Sequence, residues 1–179
     1  LGFGVDAYRK LENIPDEGYY GSTIISLFSL IDKNDYRDYF LATGWRAFTT
    51  FHPKRIFSIQ LGFVSENHDS MFNKTSFSLF SKNKVFRPNP AINEGNLKSI
   101  NFDFRFGEEE VPLGLVSRDA FDFSVEHASP SFTGGDFEFT RYVTSLEWNV
   151  QTFATDLLFP PKISIKLNAG TSSGSLPVQ

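Results

Sequence analysis

The stretch Leu97-Lys98-Ser99-Ile100-Asn101-Phe102-Asp103-Phe104-Arg105-Phe106 decides the fold. Lys98, Ile100, Phe102, Phe104 and Phe106 fall on one side of an extended chain. Leu97, Ser99, Asn101, Asp103 and Arg105 fall on the other. A period of two means a strand with a different environment on each face. The alternation recurs outward in both directions. Phe57, Ile59, Leu61 and Phe63 oppose Ser58, Gln60, Gly62 and Glu66, with Ile56 and Val64 as exceptions. Phe121, Phe123 and Val125 oppose Ala120, Asp122, Ser124 and Glu126. Tyr142, Leu146, Trp148 and Val150 oppose Arg141, Ser145, Glu147, Asn149 and Gln151. Ile163, Ile165, Leu167 and Ala169 oppose Ser164, Lys166, Asn168 and Gly170, and Leu1, Phe3, Val5 and Ala7 oppose Gly2, Gly4, Asp6 and Tyr8.

Strands are therefore expected over 1–9, 38–51, 55–66, 97–106, 118–127, 137–151 and 163–171. Breakers separate them: Pro15, Asp16 and Gly18 after the first, and His52-Pro53-Lys54 as a tight hairpin turn. A long polar segment spans 67–96. The acidic run Glu108-Glu109-Glu110 is closed by Pro112, Pro130 and Gly134-Gly135 mark a further turn, and Pro160-Pro161 another. Residues 22–31 fit a short amphipathic helix or a strand. Links this short permit antiparallel neighbours, so the expected fold is all-β, an up-and-down meander of about seven strands. The whole chain, 1–179, is read as one partial barrel domain with no second domain.

The chain has 179 residues, 17 basic and 21 acidic, with a net charge of -4. That balance speaks against a nucleic-acid partner, which needs a basic surface. The absence of cysteine excludes a disulfide framework, a thiolate metal site and a cysteine nucleophile. No run of about 18 apolar residues is present, so no transmembrane helix is expected. Barrel strands escape that test, because only alternate residues meet lipid.

Alternation alone does not say which face points inward. A soluble barrel or sandwich puts its apolar face inside; a membrane barrel turns it towards lipid and fills the lumen with polar groups. Several strands of about 10–14 residues, longer than the usual five or six, favour the membrane arrangement. So do polar faces carrying both signs of charge, and Tyr and Trp near strand ends. On this arrangement Phe57, Ile59, Leu61, Phe102, Phe104, Phe121, Phe123, Leu146 and Trp148 face lipid. Gln60, Asn101, Asp103, Arg105, Asp122, Glu126, Arg141, Glu147 and Lys166 face the lumen.

Four segments at strand–loop junctions carry a resemblance. They are Asp35-Tyr36-Arg37-Asp38-Tyr39-Phe40, then Phe86-Arg87-Pro88-Asn89-Pro90 with Glu94-Gly95, then Asp136-Phe137-Glu138-Phe139-Thr140-Arg141, and the ending Ala169-Gly170-Thr171-Ser172-Ser173-Gly174-Ser175-Leu176-Pro177. In this order they resemble the barrel of the bacterial surface antigen family, which includes the BAM insertase, its TAM relative and the two-partner-secretion transporters. The resemblance covers most of the chain from about residue 36. It implies a sixteen-stranded barrel of the bacterial outer membrane, usually preceded by POTRA domains. It implies work on unfolded outer-membrane proteins or secretion of polypeptides, with no cofactor and no covalent chemistry. The implied partners are the lipid bilayer, such polypeptides and the remaining strands of the same barrel. No POTRA-like segment is present, and the family's Arg-Gly-Tyr or Arg-Gly-Phe loop is expected soon after residue 179. Leu1 opens inside a strand pattern and Gln179 stops in a Ser/Gly-rich loop, so further strands are expected on both sides. The competing readings are a soluble β-barrel binding a lipophilic small molecule, and a passive diffusion porin.

The chemical motifs read blandly. His52, His68 and His127 lack metal-ligand spacing and read as rim histidines. Glu108-Glu109-Glu110 reads as a solvated turn, because consecutive carboxylates repel and prefer water. Asp122 and Glu126 share a face and could form an acid–base pair, but are expected to pair with Arg105, Arg141 or Lys166. Ser131, Ser172 and Ser173 lack a Gly-x-Ser-x-Gly setting, and Gly134-Gly135-Asp136 is a turn rather than a phosphate cradle. Asn73-Lys74-Thr75 matches a glycosylation sequon, which carries little weight for a bacterial chain. The Phe102, Phe104, Phe106 row is a lipid-facing or core stripe before it is a ligand platform. No enzyme activity is expected.

Overall fold

The computed structural model describes residues 1–13, 22–35, 37–72, 76–81, 83–107, 119–151 and 161–177. In chain order the elements are β1 (Gly2–Asn13), α1 (Ser22–Asp32), β2 (Tyr39–Lys54), β3 (Phe57–Ser70), β4 (Gly95–Gly107), β5 (Ala120–Ala128), β6 (Glu138–Gln151) and β7 (Lys162–Ser175). The strands form one antiparallel sheet in the order β1-β2-β3-β4-β5-β6-β7, and the sheet is not closed into a barrel. The breakers at Pro15, Asp16 and Gly18, Tyr36 of the first family-like segment, the Asn73-Lys74-Thr75 sequon, Glu108-Glu109-Glu110 with Pro112, residue 118 and Pro160 lie outside the described residues.

The strands run past their expected ends wherever both faces are polar. β1 continues to Asn13 because Tyr8, Lys10 and Glu12 find partners on one face: the Tyr8 hydroxyl donates to Glu66 at 2.5 Å, and Lys10 pairs with Glu12 at 2.5 Å. β3 takes in Asn67, His68 and Asp69, which had been expected in the polar segment, and β7 takes in the serines up to Ser175. A paired backbone needs no apolar side chain to stay in the ladder. The β2–β3 turn falls on Arg55-Ile56, two residues beyond its expected place. Pro53 lies within β2, one residue from its end, where a missing N–H is cheap.

Residues 22–31 resolve as helix. Its C-terminus closes in the αL motif: Lys33 N donates to Ser29 O at 3.0 Å, and Asn34 N reaches Phe28 O at 3.4 Å. Lys33 takes the left-handed position at φ 55, normally glycine's. Its buried ammonium donates to the Lys84 carbonyl at 2.6 Å, which offsets that cost.

The described chain divides into two compact units, one of Leu1–Ala7, Trp45–Ser65 and Leu97–Leu176, the other of Tyr8–Gly44, Glu66–Asn96 and Pro177–Gln179. In the first, Leu97, Ala128 and Phe139 form a buried cluster with Phe137 packed on it. In the second, Phe40, Ala42 and Ile92 do so, with Tyr8 against them. Gly174 closes the β6–β7 pairing at φ 86; a Cβ there would sit 2.5 Å from the Glu138 carbonyl oxygen, so only glycine fits.

Candidate functional site

The ladder sorts the strand residues into two faces. Opposed residues share a face, and β4 to β7 pair Phe104 with Phe123, Phe123 with Thr144, and Thr144 with Ala169. The companion rows join Arg105 to Asp122, Asp122 to Ser145, and Ser145 to Asn168. The first face holds an aromatic ladder. The Phe57 ring centroid lies 5.0 Å from that of Phe106 and 6.3 Å from that of Phe104, which lies 6.4 Å from Phe121. Phe57, Ile59, Phe102, Phe104, Phe121 and Phe123 are half-buried against one another, while Leu61, Leu146 and Trp148 are exposed.

The second face is a mesh of ion pairs between directly opposed residues. Arg105 Nε lies 3.6 Å from Asp122, Arg141 2.7 Å from Glu126, and Lys166 3.1 Å from Glu147. Cross-strand pairs of opposite charge contribute about 0.2–1 kcal/mol each. The pairs expected for Asp122 and Glu126 are therefore formed, with Lys166 going to Glu147 instead. Glu126 also accepts from the buried Ser99 hydroxyl at 2.8 Å. Asn101 accepts from Ser99 at 3.4 Å, and Gln60 meets Thr50 at 3.5 Å. Gln60, Asp103, Arg105 and Asp122, with Ser58, Ser124 and Ser145, line a depression of about 290 Å³. The nine polar residues singled out in the sequence thus lie on one face, and the nine apolar ones on the other.

The buried strand residues add a second fact. Among the described residues they are Phe40, Ala42, Glu66, His68, Leu97, Ser99, Ala120, Ala128 and Phe139. All have the phase of the polar face. Phe40 meets the His68 ring edge-on at 5.0 Å, and Ala128 opposes Phe139 on the row between Ser99 and the β6 end. The sheet is therefore inside-out by the standards of a water-soluble domain: its polar side carries the buried groups and its apolar side is open.

His68 corrects the rim reading. It is 1% exposed within β3, its Nε2 2.7 Å from Glu66. His52 and His127 sit within strands, His52 3.3 Å from the Ser58 hydroxyl and His127 2.9 Å from that of Thr140. Among the described residues no group of three or more His, Cys, Asp or Glu is placed to hold a metal ion.

The four family-like segments meet two by two. In the first pair Asn89 clamps the start of β2. Its Oδ1 accepts from Tyr39 N at 2.7 Å, and its Nδ2 donates to the carbonyls of Tyr39 and Met71, each at 2.7 Å. Arg87 pairs with Asp38, and Glu94 accepts from Ser70 N at 3.0 Å. In the second pair Glu138, Phe139, Thr140 and Arg141 oppose Ser175, Gly174, Ser173 and Ser172. The sequence places Asn89 in a family-like segment and Tyr8 and Ser99 on strand faces, but gives none of them a partner. An asparagine between two prolines was the one available signal.

No family model, curated protein or solved structure matches the chain.

Two expectations follow for these polar groups. Glu126→Gln keeps an acceptor for Ser99 and loses only a half-exposed charge pair, so it should cost about 1 kcal/mol or less. Glu126→Ala strips the acceptor from a buried hydroxyl and should cost about 1–3 kcal/mol. Denaturant titration of both variants checks the order, and equal losses would contradict the contact. The second expectation concerns pH. The Ser81 hydroxyl, the Lys84 ammonium and the Asn34 amide hold the Asp32 carboxyl below its usual range, and Ser70 N–H does so for Glu94. A lowered folded pKa contributes stability above the unfolded value that is lost as pH falls through the folded one. Protection factors of the Leu79 and Phe80 amides, which bond to the Leu30 and Ile31 carbonyls, should stay unchanged down to about pH 5 once the intrinsic pH dependence of exchange is divided out. They should fall below about pH 4. A fall already between about pH 7 and 5 would assign the tether to another group.

Proposed function

We propose that this chain forms part of the wall of a transmembrane β-barrel in a bacterial outer membrane, with the ion-paired face lining the lumen. The observation that carries this is the open apolar face, with the buried strand residues all on the polar side; the slant of the apolar band across the ladder adds that the sheet has the tilt of a barrel wall. On β4 the band begins at Ile100, whose row runs through His127 and Thr140 to Ser173. On β7 the band begins four residues away, at Ala169. Four residues are about 13 Å along a strand, and three interstrand steps are about 14 Å across. A band held level by a bilayer therefore corresponds to strands tilted by roughly 40°, within the range of membrane barrels. A soluble lipid-binding barrel tilts its strands in the same way, but it would bury the apolar face, whereas here the buried strand residues belong to the polar one.

The resemblance extends the reading to assembly of outer-membrane proteins or passage of polypeptides, by templating and transport without bond chemistry. What supports this part is the four segments and their pairing two by two. A passive diffusion porin shares the wall geometry and is separated only by activity.

The test uses the only two tryptophans, Trp45 and Trp148, both exposed on the apolar face. The intact protein is reconstituted into phosphatidylcholine vesicles with bromines at mid-chain. Strong quenching of tryptophan emission is expected; emission typical of water and unaffected by bromine would sink the wall reading. In a second arm, proteoliposomes should accelerate insertion of an unfolded outer-membrane barrel over protein-free vesicles. Ion conductance without acceleration would assign the porin role instead.

A further inference from the structure

Helix α1 is turned the wrong way round for a helix bathed in water. At 100° per residue, Leu30, Leu27, Ile31, Ile24 and Phe28 span an arc of about 160°. Ile24, Leu27, Phe28 and Leu30 are exposed, at 37–52%. The side held to the protein carries Ile25, which is buried, with Ser29 and Asp32. Asp32 fixes that side through Ser81 and through Lys84 at 3.1 Å. A surface helix normally does the reverse. The apolar arc continues onto the chain alongside it: Leu79 N and Phe80 N bond to the Leu30 and Ile31 carbonyls, and Phe77, Leu79 and Phe80 are 51–79% exposed. No charged residue interrupts 24–31 or 76–81. Together Ile24, Leu27, Phe28, Leu30, Phe77, Leu79 and Phe80 form an exposed apolar patch of the kind that marks a contact with a membrane or a partner.

We infer that α1 and residues 77–80 lie in the interfacial layer of the bilayer, apolar arc towards the acyl chains, as a lipid anchor. The inference rests on the wall reading, and two features favour lipid as the occupant. The helix is about 16 Å long, too short to cross a hydrocarbon core of about 30 Å, so it can only lie along the boundary. Its partition of polar side inward and apolar side outward is the same as the sheet's, so one apolar solvent serves both.

The absence of cysteine makes single labels unambiguous. Leu27→Cys, Phe80→Cys, Leu146→Cys and Arg55→Cys are each labelled with a polarity-sensitive fluorophore in the intact protein, in phosphatidylcholine–phosphatidylglycerol vesicles. Labels at 27 and 80 should be blue-shifted and quenched several-fold more by a headgroup-proximal nitroxide lipid than by a mid-chain one. The label at 146 should show the opposite depth preference, and that at 55 should respond to neither. Water-exposed labels at 27 and 80 beside a quenched 146 would overturn the anchor and leave the wall. Labels at 27 and 80 shielded from aqueous iodide yet untouched by lipid quenchers would mean a protein covers the patch, and would overturn it too. Failure of quenching at 146 would bring down the wall reading itself.

Discussion

Phe104→Arg is expected to abolish stable insertion of the sheet into a bilayer, while Ser145→Lys, a residue of the opposite face, is expected to leave it intact. Phe104 sits mid-band on β4, opposed by Phe123 and flanked by the rings of Phe57 and Phe121. In the proposed barrel wall a guanidinium there would face hydrocarbon at a cost of about 2–4 kcal/mol at mid-depth, roughly a 30- to 1,000-fold loss in the folded-to-unfolded ratio. Loss of the ring contacts adds to it. Ser145 opposes Asp122 across the ladder and lines the polar depression, so a lysine there gains a carboxylate neighbour and should shift stability by no more than about 0.5 kcal/mol. Urea unfolding in vesicles, followed by tryptophan emission, measures both. If the apolar face met water, Phe104→Arg would lose only the ring contacts, about 0.5–1.5 kcal/mol each, with no difference between vesicles and detergent-free buffer, and that result would remove the lipid from the account.

The sequence disclosed what depends on a strict period and hid what depends on single contacts. Phe102, Phe104, Asp103 and Arg105 fell on their faces without ambiguity because every second residue is committed to one solvent. The opposed pairs Glu126–Arg141 and Glu147–Lys166 needed the register, which alternation does not supply. The strands outrun the reading at Lys10–Asn13 and Asn67–Ser70 for one reason: in a mostly polar stretch extended chain and loop look alike, and only the partner strand distinguishes them, as Glu66 does for the neighbouring Tyr8. Helix α1 escaped assignment because its closing residue is Lys33 rather than glycine. Its outward apolar arc gives the same periodic signal as an inward one.

The remaining large effect is expected at Asn89, whose amide replaces a strand at the start of β2. Its oxygen takes the Tyr39 N–H and its nitrogen serves the Tyr39 and Met71 carbonyls, all at 2.7 Å. The isosteric change Asn89→Asp keeps the acceptor and destroys the donor, and turns a carboxylate oxygen towards two carbonyl oxygens. Leaving two partly buried acceptors without a proton should cost about 2–4 kcal/mol. Asn89→Ala loses more hydrogen bonds but brings no repulsion, so the two variants should be comparably unstable at neutral pH. They separate in acid. A protonated aspartic acid regains one O–H donor, and its surroundings disfavour the carboxylate, so its folded-state pKa lies above the unfolded one. Stability of Asn89→Asp should therefore recover as pH falls through that raised pKa, while Asn89→Ala stays unchanged over the same window. Hydrogen exchange supplies the location. The Tyr39 amide should lose protection in both variants, whereas amides of the β6–β7 ladder such as Leu167, opposite Leu146, should keep theirs. Asn89→Asp as stable as the parent at pH 7 would show that the two family-like segments are not held by this clamp.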